Sequence, residues 1–339
     1  MGTYRFLLAI AVALSHFGVT FRGGHNPGIV AVISFFLISG FVMTGLVRSY
    51  YPEYRKVPMY YLDRLARIFP QYLFFLVLAA AGYFLFDISS PYLREVSFSC
   101  VAANVLVVPL DFYMYSPAIA GCTFIPQTWS LGLELTFYFL FPVILIGGRR
   151  DLWFVSSLLV WFLAAYGAID TDEWGYRLLP GTLFIFLLGS YIYDFRKPVP
   201  RHPAVLLFVL MLVSAIVFRA SGKLDLPHTY EVLVGLFIGV PSLFLLARCK
   251  RSTWDDWLGN LSYGTFLCHF LVISIFDSLD MPRDWRGMVL MMTASVALAH
   301  LGYVAIEHPV MRWRRGLRDR RRVAAGYDGE MRRQSSTGI

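Results

Sequence analysis

The stretch GIVAVISFFLISGFVMTGLV, residues 28–47, runs for twenty residues without a charged side chain. A helix needs about 20 mostly apolar residues to cross the hydrocarbon of a bilayer, because lipid cannot pair with backbone polar groups and each one must be satisfied within its own segment. The stretch therefore predicts a transmembrane helix. Comparable apolar segments recur along the chain, so it is one of a series.

Composition points to lipid as the solvent for much of the surface. Of 339 residues, 57% are hydrophobic and only 15% are charged, whereas soluble domains carry about 25% charged residues. The formal net charge of +8 would suit a nucleic-acid binder, but the basic residues lie between apolar segments and in a C-terminal cluster. We therefore expect a membrane protein, surrounded by lipids, with no nucleic-acid partner. The 4 cysteines form no CxxC pair, and no metal site is predicted.

We predict an all-α bundle of about ten transmembrane helices. The predicted spans are residues 5–22, 28–47, 68–86, 128–147, 151–169, 178–195, 203–219, 230–247, 258–279 and 287–306. With both termini in the cytoplasm, most Lys and Arg residues fall on the inner side, as the positive-inside rule requires. A further apolar stretch, 92–110, carries Arg94, Glu95 and Asn104. It predicts an interfacial or re-entrant segment. An eleventh crossing is the alternative, and it would remove the charge bias.

The chain divides into two unequal parts. We expect residues 1–311 to form one transmembrane domain and residues 312–339 to form a basic, disordered cytoplasmic tail, which is rich in Arg and then in Gly, Ser and Gln. In this topology Cys100 and Cys122 both lie on the outer side, where they can form a disulfide or remain free thiols.

The first span carries two ionisable residues. Such side chains cost several kcal/mol in a membrane unless they are paired or hydrated, so each is a functional candidate. Arg5 and His16 are eleven residues apart, so they share one helix face, with the imidazole roughly 16 Å deeper. This arrangement suits a phosphate-bearing donor whose reactive end reaches inward. A topology anchor and a packing histidine explain the spacing equally well.

Further patterns bring polar groups to the membrane boundary and beyond it. Arg64 and Arg67 share a face just before the third span, where two guanidinium groups can chelate phosphate oxygens or anchor lipid headgroups. Glu134 lies about two turns into the fourth span and must be protonated, paired or hydrated there. In the ninth span, His269 lies at about the same depth as His16.

In this order the motifs resemble the acyltransferase-3 family of membrane-bound O-acyltransferases. The resemblance rests on Arg-x10-His (residues 5–16), FFxxSGF (35–41), RxxRxxP (64–70), WSLxxE (129–134), GxxSY…H (259–269) and ExP (307–309), and it covers residues 4–312. It implies a ten-helix membrane domain that moves an acyl group, usually acetyl from acetyl-CoA, onto a hydroxyl. The acceptor is commonly a sugar of a surface polysaccharide, lipopolysaccharide or lipid-linked glycan, and sometimes an antibiotic. A location in the cytoplasmic membrane of a bacterium follows.

The resemblance also implies roles for individual residues. Carried over by position, His16 is the catalytic histidine, Arg5 is its motif partner, and Arg64 and Arg67 hold the phosphates of acetyl-CoA. Glu134 is expected to be catalytic as well, by orienting the histidine or by holding a developing cation. The further candidates for the substrate site or its support are Ser39, Trp129, Ser130, Tyr263 and His269.

Two features limit what the resemblance implies. Relatives often have Trp before the second histidine, where this chain has Cys268, so the role of His269 stays open. Some relatives carry a fused extracytoplasmic hydrolase-like domain, which we do not expect here.

A different class of function fits part of the pattern. Deep His and Glu residues also build proton relays, so a proton-coupled transporter or a flippase-like carrier of lipid-linked sugars is the alternative. Transporters often show broken helices in symmetry-related halves, and no such duplication is visible in the sequence. The sequence does not decide between acetyl and longer acyl groups, between a general base and an acyl-histidine, or between a monomer and a homodimer.

Overall fold

The computed structural model describes residues 1–88, 90–195, 212–250 and 252–314, and these residues contain helices and no β-strand. The main helices are α1 (Gly2–Phe17), α2 (Pro27–Tyr50), α3 (Val57–Phe86), α4 (Phe98–Leu106), α5 (Thr128–Ile146), α6 (Arg150–Ala165), α7 (Leu179–Asp194), α8 (212–220), α9 (Thr229–Leu246), α10 (Thr253–Ser278) and α11 (Trp285–Gly302). The all-α prediction is confirmed for this part of the chain.

Within the described ranges, 7 helical segments are long and apolar enough to cross a membrane. They are Pro27–Tyr50, Tyr54–Phe86, Thr128–Ile146, Glu173–Asp194, Thr229–Leu246, Thr253–Ser278 and Trp285–Arg314, and each overlaps one predicted span. At the predicted spans 5–22 and 151–169, helices α1 and α6 are each 16 residues long, about 24 Å at 1.5 Å per residue. Most of the predicted span 203–219 lies outside the described residues. The protein is a multi-pass helical bundle, and the count of ten and the side of the termini stay predictions.

Helix α2 lies at the centre of the bundle, in contact with α1, α7 and α9. Its backbone touches that of α7: a Cβ added to Gly40 would lie 1.7 Å from the carbonyl oxygen of Phe186, and one added to Gly189 would lie 1.9 Å from that of Leu37. This is the close packing that small residues allow between membrane helices. It buries the polar Ser39 in the middle of the bundle.

Helices α1 and α10 run side by side in the same direction. Gly2, in the first turn of α1, meets Gly259, in the second turn of α10, and Ser262 Oγ donates to the carbonyl oxygen of Arg5 at 2.8 Å. Because both helices rise by 1.5 Å per residue, residues farther along remain level with each other. The parallel pairing thus brings the C-terminal half of α1 against the middle of α10.

The segment before α5 folds back on itself and is held by a disulfide and by hydrogen bonds. Helix α4 has 9 residues and is about 13 Å long, so the stretch 92–110 does not cross as a helix, which agrees with its interfacial or re-entrant prediction. Cys100 and Cys122 form a disulfide, with Cα atoms 5.6 Å apart. The Asn104 side chain donates to the carbonyl oxygens of both cysteines, at 3.0 and 2.9 Å. These bonds fix the loop that leads into α5.

Candidate functional site

Two cavities lie near opposite ends of α1. The arginine cavity, about 160 Å³, is lined by Arg5, Ser39, Arg64, Arg67, Glu134 and Tyr138, with other residues. The histidine cavity, about 220 Å³, is lined by His16, Tyr92, Tyr113, Gln127, Trp129 and Arg177, with other residues. The two cavities approach each other along α10. Phe266 lines the arginine cavity and Phe270, one turn later on α10, lines the histidine cavity.

The two deep histidines are in contact. Nδ1 of His16 lies 2.9 Å from Nε2 of His269, and Nδ1 of His269 lies 3.2 Å from the carbonyl oxygen of Thr265. A carbonyl oxygen can only accept, so His269 donates from Nδ1 and its Nε2 is an acceptor. His16 therefore donates from Nδ1, and its Nε2 keeps a free lone pair. Since His269 is fully buried and His16 lines the cavity, the pair offers one basic nitrogen, Nε2 of His16.

Glu134 lies in the arginine cavity, away from the histidine pair. Its Oε1 accepts a hydrogen bond from Ser39 Oγ at 2.6 Å and another from the hydroxyl of Tyr138. Ser39 belongs to α2 and the other two residues to α5, so the network joins these helices. Among the described residues, the ring nitrogen contact that orients His16 comes from His269 and not from Glu134.

The three predicted arginines meet in the arginine cavity, and two of them have acidic partners. Arg64 donates to Asp63 at 2.6 Å, and Arg67 forms an ion pair with Glu307. Within the described residues, Arg5 takes part in hydrogen bonds through its backbone and not through its side chain. Of these three, Arg5 therefore offers a guanidinium without a competing carboxylate in contact.

The remaining predicted site residues divide between the cavities. Ser130 and Tyr263 line the arginine cavity, where the Tyr263 hydroxyl donates to the carbonyl oxygen of Ile68 at 3.2 Å. Trp129 lines the histidine cavity. Neighbouring residues of the WSLxxE motif thus face different cavities.

Sequence reasoning missed several polar residues at these cavities. Tyr138 had a signal, because it lies four residues after Glu134 and so on the same helix face. Arg177 had none, since in the sequence it is a lone basic residue in a loop that also holds Asp170, Asp172 and Glu173. Asp111 lines neither cavity, but it is 0% exposed, and neither of its carboxyl oxygens is hydrogen-bonded in the described ranges. Burial raises the pKa of Asp111 to about 8, although the charge of Arg177 opposes this.

Known proteins resemble the chain over most of its length. The family model described as "Acyltransferase domain" matches residues 3–304. The chain is 32% identical to an uncharacterized protein of Aquifex aeolicus over 57% of this chain and 90% of that protein. It is 21% identical to the peptidoglycan O-acetyltransferase OatA of Listeria monocytogenes over 90% of this chain and 54% of that protein, so it spans about half the length of this relative. No solved structure matches the chain.

Proposed function

The chain belongs to the acyltransferase domain family, and from this membership we propose that it moves an acetyl group from acetyl-CoA to a hydroxyl of a cell-surface glycan. The observation that carries the proposal is the pair of cavities near the ends of α1, one rich in arginine and one holding an oriented histidine. The name of the Listeria relative, a peptidoglycan O-acetyltransferase, supports both the acetyl group and a glycan acceptor.

In this proposal the phosphates of acetyl-CoA bind at the arginine cavity, which receives only part of the molecule. Hydrogen bonds between a guanidinium and phosphate oxygens contribute about 1.5–3 kcal/mol each. Arg5 is the arginine best prepared for them, while Arg64 and Arg67 share their charge with Asp63 and Glu307. The uncharged pantetheine arm runs past Phe266 toward Phe270 and brings the thioester into the histidine cavity, next to His16.

His16 acts as the general base of the proposed transfer. Its Nε2 takes the proton of the acceptor hydroxyl, and the oxygen attacks the carbonyl carbon of the thioester. The C–S bond breaks, and the sulfur of the leaving CoA receives the proton from the imidazolium. His269 keeps the Nδ1 proton of His16 in place, as the acid of a serine-hydrolase triad does for its histidine. A positioned base contributes roughly 10²–10⁴-fold to the rate.

The disulfide supports an orientation with the histidine cavity outside the cytoplasm. Disulfides persist in oxidising compartments and are rare in the cytosol. The Cys100–Cys122 pair belongs to the same folded-back segment as Tyr92 and Thr123, which line the histidine cavity. In this orientation the donor enters from the cytoplasm and the glycan from the outer side of a bacterial cytoplasmic membrane, which agrees with the positive-inside rule.

The function is tested with membranes that contain the protein, labelled acetyl-CoA and surface glycans from cells that lack the gene. We expect label on the glycan, with the mass increment of one acetyl group. Membranes without the protein are the control. A transporter predicts proton-coupled uptake of substrate with no label transferred, and that result would contradict the proposal.

The orientation is tested with the native thiol of Cys249, which is free and exposed after the end of α9. We expect Cys249 in spheroplasts to react with a membrane-permeant maleimide and to resist an impermeant one, because the proposal puts this loop in the cytoplasm. The control is Lys223→Cys in a Cys249→Ser background, in the loop before α9, which should react with the impermeant reagent. The reverse pattern would put the histidine cavity on the cytoplasmic side.

A further inference from the structure

Among the residues that line the histidine cavity, Arg177 carries a positive charge that the proposed reaction does not use. Its guanidinium carbon lies 4.8 Å from the ring centre of Trp129 and 5.6 Å from that of Tyr113. Its Nε lies 2.9 and 3.0 Å from the two carboxylate oxygens of Asp172 and donates to that group. A planar cation that stacks on aromatic rings and is held at one edge has little freedom to move.

The carboxylate of Asp172 holds Arg177 in place through its negative charge and its hydrogen bonds. Its Oδ1 also lies 2.7 Å from Nε2 of His228. Burial alone would raise the pKa of Asp172, but hydrogen bonds from His228 and Arg177 lower it to about 2. The carboxylate is therefore charged at physiological pH. It engages Nε alone, so the two terminal nitrogen atoms of Arg177 are left for other partners.

Two groups of the histidine cavity lack partners within the described part of the chain. The terminal nitrogen atoms of Arg177 form no hydrogen bond to these residues, although the side chain is only 18% exposed. Gln127 is 4% exposed, and its Oε1 is also unpaired, while its Nε2 donates to the carbonyl oxygens of Phe266 and Leu267. Because buried polar groups are nearly always hydrogen-bonded, Oε1 of Gln127 indicates a ligand that supplies its partner. The terminal nitrogen atoms of Arg177, on a residue that lines the same cavity, are available to that ligand.

The unpaired atoms define the chemistry of that ligand. The terminal N–H groups of Arg177 form a planar fork that fits the two oxygens of a carboxylate or a phosphate. Oε1 of Gln127 and Nε2 of His16 need donors, which hydroxyl groups supply. At about 220 Å³, the cavity is smaller than the roughly 300–1,000 Å³ of drug-sized sites, so it suits one unit of a glycan.

We propose that the acceptor is an acidic, hydroxyl-rich unit whose carboxylate or phosphate binds Arg177 while the hydroxyl to be acetylated lies at Nε2 of His16. The inference rests on the proposed function, because it assigns the substrate class of the same cavity. Asp111, whose buried carboxyl also interacts with the charge of Arg177, does not replace the anion, since burial raises its pKa to about 8 and leaves it mostly protonated at neutral pH.

The test uses the full chain in membranes, with labelled acetyl-CoA and surface glycans from cells that lack the gene. The glycans are supplied untreated, carboxyl-reduced or phosphatase-treated. Wild-type protein should acetylate untreated glycan and lose about 10- to 100-fold in transfer when the anion is removed. The carboxyl-reduced sample shows the loss if the anion is a carboxylate, and the phosphatase-treated sample shows it if the anion is a phosphate.

The Arg177 variants test whether the preference for an anionic glycan arises from Arg177 in the histidine cavity. Arg177→Gln should show the same loss on untreated glycan, as a higher KM for the acceptor, and no further loss after treatment. Arg177→Lys keeps the charge without the fork and should lie between the two. Arg283→Gln is the matched control and should behave as wild type: Arg283 stacks over Phe17 at the same end of α1 and pairs with Asp277, but it does not line the cavity.

Each result decides the proposal. Wild-type protein that acetylates treated and untreated glycans equally would overturn the acidic acceptor, whether or not the Arg177 variants fold. A folded Arg177→Gln variant that keeps the full preference for the anion would overturn the role of Arg177. Wild-type protein that labels no glycan in any form would overturn the proposed function itself, which is a separate and recognisable outcome.

Discussion

Replacing His16 with glutamine is expected to lower acetyl transfer by about 10²–10⁴-fold, because the variant loses the only nitrogen base that the histidine pair offers to the cavity. The glutamine amide can still donate to Nε2 of His269, so the packing between α1 and α10 should persist. The loss should therefore appear in kcat, with the KM for acetyl-CoA nearly unchanged. Product formation by purified, monodisperse protein is the measurement.

The matched control for this variant is His300→Gln. His300 is exposed on α11, with its ring near the edge of Trp257, and lines neither of the two cavities. The His300→Gln variant should transfer acetyl at the wild-type rate. A folded His16→Gln variant with wild-type turnover would remove His16 from the reaction.

The sequence predicts the helices well and their ends less well. The first predicted span continues through the apolar residues Val19 and Phe21, but Gly18 has φ 112° and ends α1 at Phe17. Glycine readily adopts this left-handed conformation after a helix, so an apolar run need not be a helical one. At the third span the error is opposite. Helix α3 already begins at Val57, with proline in its first turn.

For the site, the sequence predicts the depth of a residue along its helix but not the partner that its side chain contacts. Depth along a helix follows from residue count, so the equal depth of His16 and His269 is readable from the sequence. The partner of Glu134 is not, because it depends on which face of α5 turns toward Ser39 on α2. Arg177 belongs to no periodic pattern, and only the folded chain brings it to the cavity that holds His16.

Replacing His269 with leucine is expected to lower kcat by roughly 10²-fold. The loss of a triad acid costs about 10⁴-fold, chiefly because the wrong tautomer then predominates, and the neutral His269 should contribute less because it does not stabilise the imidazolium by charge. Without its acceptor, His16 can carry the proton on Nε2, where the base is needed. His269→Gln can retain an acceptor oxygen near the position of Nε2 and should recover much of the rate.

A packing role for His269 makes different predictions. Cys268→Ala removes buried volume at the neighbouring position, where the thiol contacts the carbonyl oxygen of Ser295 and not His16, and it should leave kcat nearly unchanged. Residues that act as one catalytic unit are strongly non-additive, so His269→Leu should cost little more in a His16→Gln background. Independent, multiplying losses in the double variant would show that His269 stabilises the bundle and does not orient the base. The same conclusion would follow if His269→Gln recovered no activity while Cys268→Ala lowered kcat as much as His269→Leu.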